Sequence, residues 1–189
     1  APAMAIEKPS YRVLETQGDF ELRTYSPYIV AETYVQGDFE AVGSEGFRRL
    51  AAYIGGKNRK KESISMTAPV SQKPASEKIA MTAPVSQTEE NDRWRIAFNM
   101  PSAYRLDTLP THDDDRVVLR EEKEKTVAVI RYSGTWGKKR YEDHEKKLMD
   151  WLSAKGWKIS GAPVWARYNP PFMPWFMRRN EILIPVQSQ

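Results

Sequence analysis

Three stretches of this 189-residue chain hold side chains able to bind or react. The first is Ile64-Ser65-Met66-Thr67-Ala68-Pro69-Val70-Ser71-Gln72, nearly copied as Ile79-Ala80-Met81-Thr82-Ala83-Pro84-Val85-Ser86-Gln87. Met66 and Met81 offer flexible, polarisable thioethers that suit an adaptable pocket for a large flat ligand, and the same side chains also serve as core filler. Each copy reads as a strand that ends or bulges at its proline, because proline brings no ladder donor and disfavours helix before it. The second stretch runs from Tyr168 to Glu181 and crowds Phe172, Met173, Trp175, Phe176 and three prolines next to Arg178 and Arg179. Aromatic surface beside guanidinium groups suits an amphiphile with an apolar plane and acidic substituents, since arginine pairs bidentately with carboxylates. Alternatively, one of the arginines bridges to Glu181 or another acid and pins the loop.

The third feature is a pair of histidines. His144 stands four residues before Leu148, at the margin of an apolar helix face, where it could reach a pocket as an axial or hydrogen-bonding group. Its charged neighbours Glu142, Asp143, Glu145 and Lys146 equally suit a solvated helix edge. His112 sits in the acidic turn Pro110 to Asp115 and reads as an exposed loop.

Catalytic patterns are missing. There is no phosphate-binding glycine loop, no H-E-x-x-H and no nucleophile elbow. With no Cys, disulfides, thiolate nucleophiles and iron–sulfur clusters drop out together, and either redox compartment stays open. Two histidines argue against a multi-His metal site. The 29 basic and 25 acidic residues are interleaved, so the net charge of +4 does not point to nucleic acid. Lys57, Arg59, Lys60 and Lys61 lack an aromatic that could stack on a base and read as a solvated loop. No apolar run approaches the roughly 20 residues that span a bilayer, so no integral membrane segment is expected. The opening Ala1-Pro2-Ala3-Met4-Ala5 looks like the small-residue end left by a removed signal peptide, which slightly favours export over the cytoplasm. A trimmed end would look the same.

The elements that must position these groups follow from periodicity. Phe20 to Tyr25 and Tyr28 to Val35 read as strands of a hairpin around Ser26-Pro27. Beyond Gly37-Asp38, the residues Phe47, Leu50, Ala51 and Ile54 fall at helical spacing, with Gly55-Gly56 as the stop. The order then recurs: Val117 to Arg120 and Val127 to Tyr132 are strands, and Tyr141, Leu148, Trp151 and Leu152 mark a helix ending near Gly156. Val35 to Phe39 aligns with Ser133 to Trp136, and Leu50/Ile54 with Leu148/Leu152, about 98 residues apart. Trp94 to Met100 and Ile182 to Val186 extend the two copies. The expected architecture is α+β: two pseudo-symmetric β-β-α-β-β repeats, about 20–102 and 117–186, forming a distorted antiparallel barrel or sheet flanked by two helices. Residues 1–10 form a tail before a single domain over 11–189, expected to be a monomer.

Several separate signatures, in order, resemble the SOUL haem-binding proteins: Tyr53-Ile54-Gly55-Gly56-Lys57-Asn58, the doubled Met-Thr-Ala-Pro-Val, Met100-Pro101-Ser102, Arg167-Tyr168-Asn169-Pro170-Pro171 and Arg178-Arg179-Asn180-Glu181. The resemblance covers about Tyr11 to Val186, and the doubled segment is similar to bacterial members. It implies the same two-repeat barrel, a distant likeness to gyrase-inhibitory-protein-like effector domains, and binding of haem or another tetrapyrrole in an apolar groove that includes the first helix. The vertebrate haem-binding member carries basic residues where this chain has Ser44, Ala52 and Met173. Arg48, Arg49, Arg178 and Arg179 stand as substitute propionate partners, with Phe47 and Ala51 as apolar surface. The expected site is therefore Phe47, Arg48, Ala51, Met66, Met81, Met173, Trp175, Arg178 and Arg179, with His144 as the candidate axial ligand. The expected function is non-enzymatic binding of a flat hydrophobic molecule. The alternatives are an effector-type module for small hydrophobic ligands or protein partners, and a hydrolase on the same scaffold.

Overall fold

Side chains alternate along a strand, so a sheet has two faces, and here both are buried. The computed structural model describes residues 6–61 and 75–187. In chain order it contains β1 (Tyr11–Gln17), β2 (Phe20–Tyr25), β3 (Tyr28–Val35), α1 (Phe39–Ile54), β4 (Asn58–Arg59), β5 (Val85–Glu90), β6 (Arg93–Asn99) and β7 (Thr111–His112). There follow β8 (Val118–Glu122), β9 (Lys125–Tyr132), α2 (Lys138–Lys155), β10 (Lys158–Ile159), β11 (Val164–Arg167), a 3₁₀ turn (Trp175–Met177) and β12 (Asn180–Gln187). The main sheet runs β1-β2-β9-β12-β11-β5-β6-β3-β8, antiparallel throughout, with β10 added to β12 and a separate ribbon β4-β7.

The two halves are related by a pseudo-twofold axis between β5 and β11. Exchanging β2, β3, α1, β5 and β6 for β8, β9, α2, β11 and β12 simply reverses the strand order. Helix α1 packs on β3 and β6, and α2 on β9 and β12. This is the β-β-α-β-β repeat, but its first strand crosses to the other copy: β2 pairs with β9, and β8 with β3. The hairpin expected around Ser26-Pro27 does not form. A two-residue hairpin turn needs positive φ, and neither Ser26 nor Pro27 adopts it. The hairpins that do form use Gly18 (φ 60) between β1 and β2, and Asn91 (φ 51) with Asp92 (φ 64) between β5 and β6.

On α2 the buried residues are Tyr141, Leu148, Trp151 and Leu152, as the spacing predicts, and the helix ends on Gly156 in the left-handed conformation (φ 71). On α1 the buried stripe is rotated. Leu50 and Ile54 point inward, but Gly43, Gly46 and Tyr53 take the places expected for Phe47 and Ala51. Glycine gives no hydropathy signal, yet it lets the helix approach the sheet; a Cβ on Gly46 would collide with Ile96. Strand β5 begins at Val85, after Pro84, rather than ending there. The preceding residues are held as coil by Thr82 Oγ1 donating to the Asn99 carbonyl (2.5 Å) and Ala83 N donating to the Glu7 carbonyl (3.0 Å). Met66 and the first Met-Thr-Ala-Pro-Val copy lie outside the described residues.

Two apolar clusters fill the helix face, one around Ile130, Leu148, Trp151 and Ile182, the other around Val35, Leu50, Ile96 and Phe98. The opposite face carries a third cluster, Tyr25, Val127, Val129, Ala166, Tyr168 and Leu183. Beside it, the fully buried Glu181 accepts a bidentate pair of hydrogen bonds from the buried Arg23 (2.8 and 2.7 Å) and another from Arg179 Nη2 (2.9 Å). This ties β2 to β12 across β9. Burial pushes the Glu181 carboxyl up, but hydrogen bonding and charge from Arg23, with the charge of Arg179, outweigh it and hold the group below its ordinary value.

Glu181→Gln is expected to destabilise the fold by about 3–5 kcal/mol at pH 7, because Arg23 is left buried without its counter-charge. Since the carboxyl is depressed in the folded state, its contribution is present above the ordinary value of 4.5 and lost as pH falls through the lower folded value. Urea unfolding at pH 7 and at about pH 3 should therefore show the gap between wild type and variant narrowing in acid.

Candidate functional site

The run Arg178 to Glu181 shows how period 2 divides neighbouring residues between faces. Arg179 and Glu181 turn to the face without helices. Arg178 and Asn180 turn to the helix face, where Asn180 Oδ1 accepts from Trp136 Nε1 (2.8 Å) and the Arg178 guanidinium lies 4.2 Å from the Trp136 ring centre. Of the two uses expected for these arginines, pairing with a ligand's acids and pinning the loop, the contacts within the chain are of the second kind. Arg179 bridges to Glu181, and Arg178 donates to the carbonyls of Met173 (3.0 Å) and Pro171 (2.8 Å), pinning the loop from within.

The same alternation on β11 sends Trp165 and Arg167 to the helix face at the centre of the sheet, where the pseudo-twofold axis passes and the first turns of both helices arrive: Trp165 stacks on Phe39 of α1 (ring centres 4.8 Å) and meets Tyr141 of α2 edge-on (5.8 Å). Trp165 stands opposite Gln87 in the β5-β11 ladder. Arg167 lies 4.7 Å from the Trp165 ring centre and 5.2 Å from that of Trp136, so the guanidinium is held between two indoles. A Cβ on Gly43 of α1 would stand 3.0 Å from Arg167 Nη2 and 3.1 Å from Gln87 Oε1, so the missing side chain is what admits them. Gln87 Nε2 donates to the Phe39 carbonyl (2.9 Å), fixing the amide's orientation. Two buried polar atoms here have no partner among the described residues, Arg167 Nε and Gln87 Oε1, while Trp165 Nε1 lies by the Tyr132 hydroxyl. Buried groups in native proteins are almost always satisfied by protein, water or a ligand, which makes this cluster a candidate site. Burial lowers the Arg167 pKa to about 10, with Tyr132 the opposing influence.

This cluster links α1 to the proline-rich loop through Arg167, Trp136 and Arg178. On α1, Phe47 follows one turn after Gly43 on the same side, 37% exposed, with its ring centre 5.4 Å from that of Phe98. Ala51 follows another turn on, half-buried. In the loop, Met173 is half-buried, whereas Phe172 (86% exposed), Trp175 (60%), Phe176 and Met177 present apolar surface to solvent. Met81, also exposed, precedes β5. His144 reaches the edge of the cluster: its ring stacks on Tyr132 with centres 3.9 Å apart, and Nδ1 lies 2.7 Å from the Arg140 carbonyl. A carbonyl only accepts, so neutral His144 carries its proton on Nδ1 and a lone pair on Nε2. Burial lowers its pKa.

Arg48 goes elsewhere. It lines an open cavity of about 450 Å³ on the outer flank of α1, with Glu45, Arg49, Lys57, His112, Asp113, Asp114 and Arg116 among its walls. The charges there are largely matched: Arg49 with Glu45 (2.6 Å), Arg116 with Asp114 (2.8 Å), Arg59 with Asp113 (3.3 Å). Its three carboxylates, Glu45, Asp113 and Asp114, alternate with Arg48, Arg49, Lys57 and Arg116, so the wall is of mixed charge. On the concave face, Glu32 is paired bidentately with Arg120 (2.9 and 3.0 Å), and about 50 Å³ of space remains, far below the roughly 300 Å³ a small-molecule site needs.

Arg167, Trp136, Gln87 and Gly43 were not among the residues expected from sequence. In the sequence, Arg167 stands within the motif Arg167-Tyr168-Asn169-Pro170-Pro171. The available signal was its same-face spacing with Trp165; what was invisible is the absence of an acid beside it.

The SOUL heme-binding protein family matches residues 6–185. Human "Heme-binding protein 2" is 28% identical, aligned over 96% of this chain and 90% of its own length. Among solved structures, the EcmrR C-terminal domain superimposes with a TM-score of 0.60 at 12% identity, over 95% of this chain and 99% of that one. A hydrolase from Listeria innocua gives 0.57 at 10% identity, over 92% and 94%. At these identities the two structures establish a shared fold.

Trp136→Ala should loosen the loop, since it removes the platform under Arg178 and leaves Asn180 Oδ1 unpaired. Hydrogen exchange at the Met173 and Met177 amides, which bond to the Pro170 and Pro174 carbonyls, is expected to rise about tenfold, the equivalent of one cation–π contact.

Proposed function

The chain belongs to the SOUL heme-binding protein family, and from that membership together with the arginine–indole cluster we propose that it binds haem or another tetrapyrrole without catalysing a reaction, as a monomer. The observation that carries the reading is the meeting of exposed apolar surface with a cation that lacks an acid partner, at the centre of the helix face. The residues fit such a ligand. Phe47, Ala51 and Met81 supply apolar contact, Met173 and Trp175 supply it from the loop, and Arg178 holds that loop in place. Burying porphyrin area at about 25 cal/mol per Å² provides the driving force, against the cost of ordering the complex. A bound haem would supply an iron centre able to accept a protein donor, and the residues named here would hold its plane.

His144 is the imidazole nearest to qualify as that donor, with its Nε2 lone pair free of a partner among the described residues. Affinity in this proposal comes from area and charge, so the imidazole is an addition and not the basis. Met66 belongs to the same proposal through its copy of the Met81 segment. Arg48 would act from the outer flank of α1, and Arg179 indirectly, by holding β12 through Glu181.

A haem titration followed in the Soret region, with a buffer control, is expected to saturate at micromolar protein. Phe47→Asp should weaken it about tenfold or more, by removing apolar contact and adding a charge that repels the ligand's acids. An absence of saturable change in the wild type overturns the proposal.

His144→Ala will shift the Soret maximum if Nε2 coordinates iron, and an unchanged maximum with unchanged affinity assigns binding to the groove alone.

A further inference from the structure

We propose that Arg167 is the carboxylate anchor of this site and makes the protein selective for ligands that carry a free acid on an apolar plane. The inference rests on the tetrapyrrole reading and adds to it the residue that sets ligand charge.

The arginines that reach the sheet are otherwise met by acceptors of the chain itself, acids for Arg23, Arg179 and Arg120 and the loop carbonyls of Met173 and Pro171 for Arg178. Arg23 and Arg179 share Glu181, and Arg120 holds Glu32. Arg167 breaks that pattern: none of the ion pairs among the described residues includes it, its Nε is sealed without a partner, and no carboxylate contributes to its charge state. A guanidinium taken out of water without a counter-charge is unfavourable unless something repays it. The two indoles repay part, 4.7 and 5.2 Å from the guanidinium carbon. The remainder falls to a group the chain itself does not contain.

The geometry specifies that group. The five N–H donors of arginine form a planar fork that matches a carboxylate bidentately. The unpaired Nε and the outer nitrogens belong to one fork, so the unmet demand is for an acceptor with more than one oxygen. Gln87 Oε1, an unmet acceptor, shares the notch and disfavours a bulky, multiply charged anion. The flanks are aromatic on the sheet side and continue to Phe47 on α1, which calls for an apolar body behind the acid. Gly43 keeps the notch open, because a Cβ there would press on Arg167 Nη2 and Gln87 Oε1. Arg178 and Arg179 cannot take this role without giving up the loop carbonyls or Glu181.

The test compares haem with its dimethyl ester, which keeps the plane and loses both acids. Binding is read by quenching of tryptophan fluorescence as well as by the Soret band, on wild type, Arg167→Gln and Arg167→Lys. Wild type is expected to prefer the free acid by about 10–100-fold, the range of one charged hydrogen-bonded pair. Arg167→Gln should bring the preference to within about twofold while leaving the ester's affinity in place, and Arg167→Lys should restore part of it. The ratio of the two ligands within one variant is independent of how much of that variant is folded. A wild type that binds neither ligand overturns the tetrapyrrole reading and this inference with it. Equal binding of both by wild type, or a preference that survives Arg167→Gln, leaves the tetrapyrrole reading standing and removes Arg167 as the anchor.

Discussion

The pairing of β5 with β11 is the constraint on which the rest of the structure depends. Each half of the chain supplies a helix and a run of strands, and neither half closes its sheet alone. The four-residue ladder from Val85 to Thr88 against Val164 to Arg167 joins them at the pseudo-twofold axis. Each helix lies mainly on β3 and β6 or on β9 and β12, and its first turns reach the axis. Trp165, Gln87 and Arg167 stand there against Phe39, Gly43 and Tyr141.

A sheet buried on both sides must sort its polar residues, and this one does so by parity. Acid-matched charges, Arg23 with Glu181 and Arg120 with Glu32, occupy the face away from the helices, leaving little free volume among them. Those pairs hold strands together. The helix face is largely apolar, with Thr33 met by Arg49 and, at the axis, Arg167 Nε and Gln87 Oε1 without a partner among the described residues. The arginines of this sheet thus differ by what lies within reach: acids for Arg23, Arg120 and Arg179, loop carbonyls for Arg178, and no carboxylate for Arg167.

The exchanged first strands have a similar logic. With β2 paired to β9 and β8 to β3, each half is completed by a strand of the other, so the two repeats fold as one unit. The Arg23–Glu181 pair spans one of these exchanges, linking residues 158 apart in sequence. It connects the stability of the first half to the segment that carries the proline-rich loop.

The sequence by itself determined the repeat, the α+β class and the apolar face of α2, because each is written in local periodicity: Leu148, Trp151 and Leu152 recur at helical spacing and are buried. It also determined the loop from Tyr168 to Glu181 as ordered and aromatic, since proline and arginine act within a few residues of themselves. Tertiary structure alone decided the rest. The rotated face of α1 depends on Gly43 and Gly46, whose contribution is the side chain they lack and the Ile96 and Arg167 they meet from distant strands. Which arginine is free depends on which acid lies beside it across the sheet, a matter of register between residues as far apart as 88 positions for Arg120 and Glu32 and 158 for Arg23 and Glu181. Periodicity reports the face a residue occupies; only the assembled sheet reports its neighbours, and a binding site is made of neighbours.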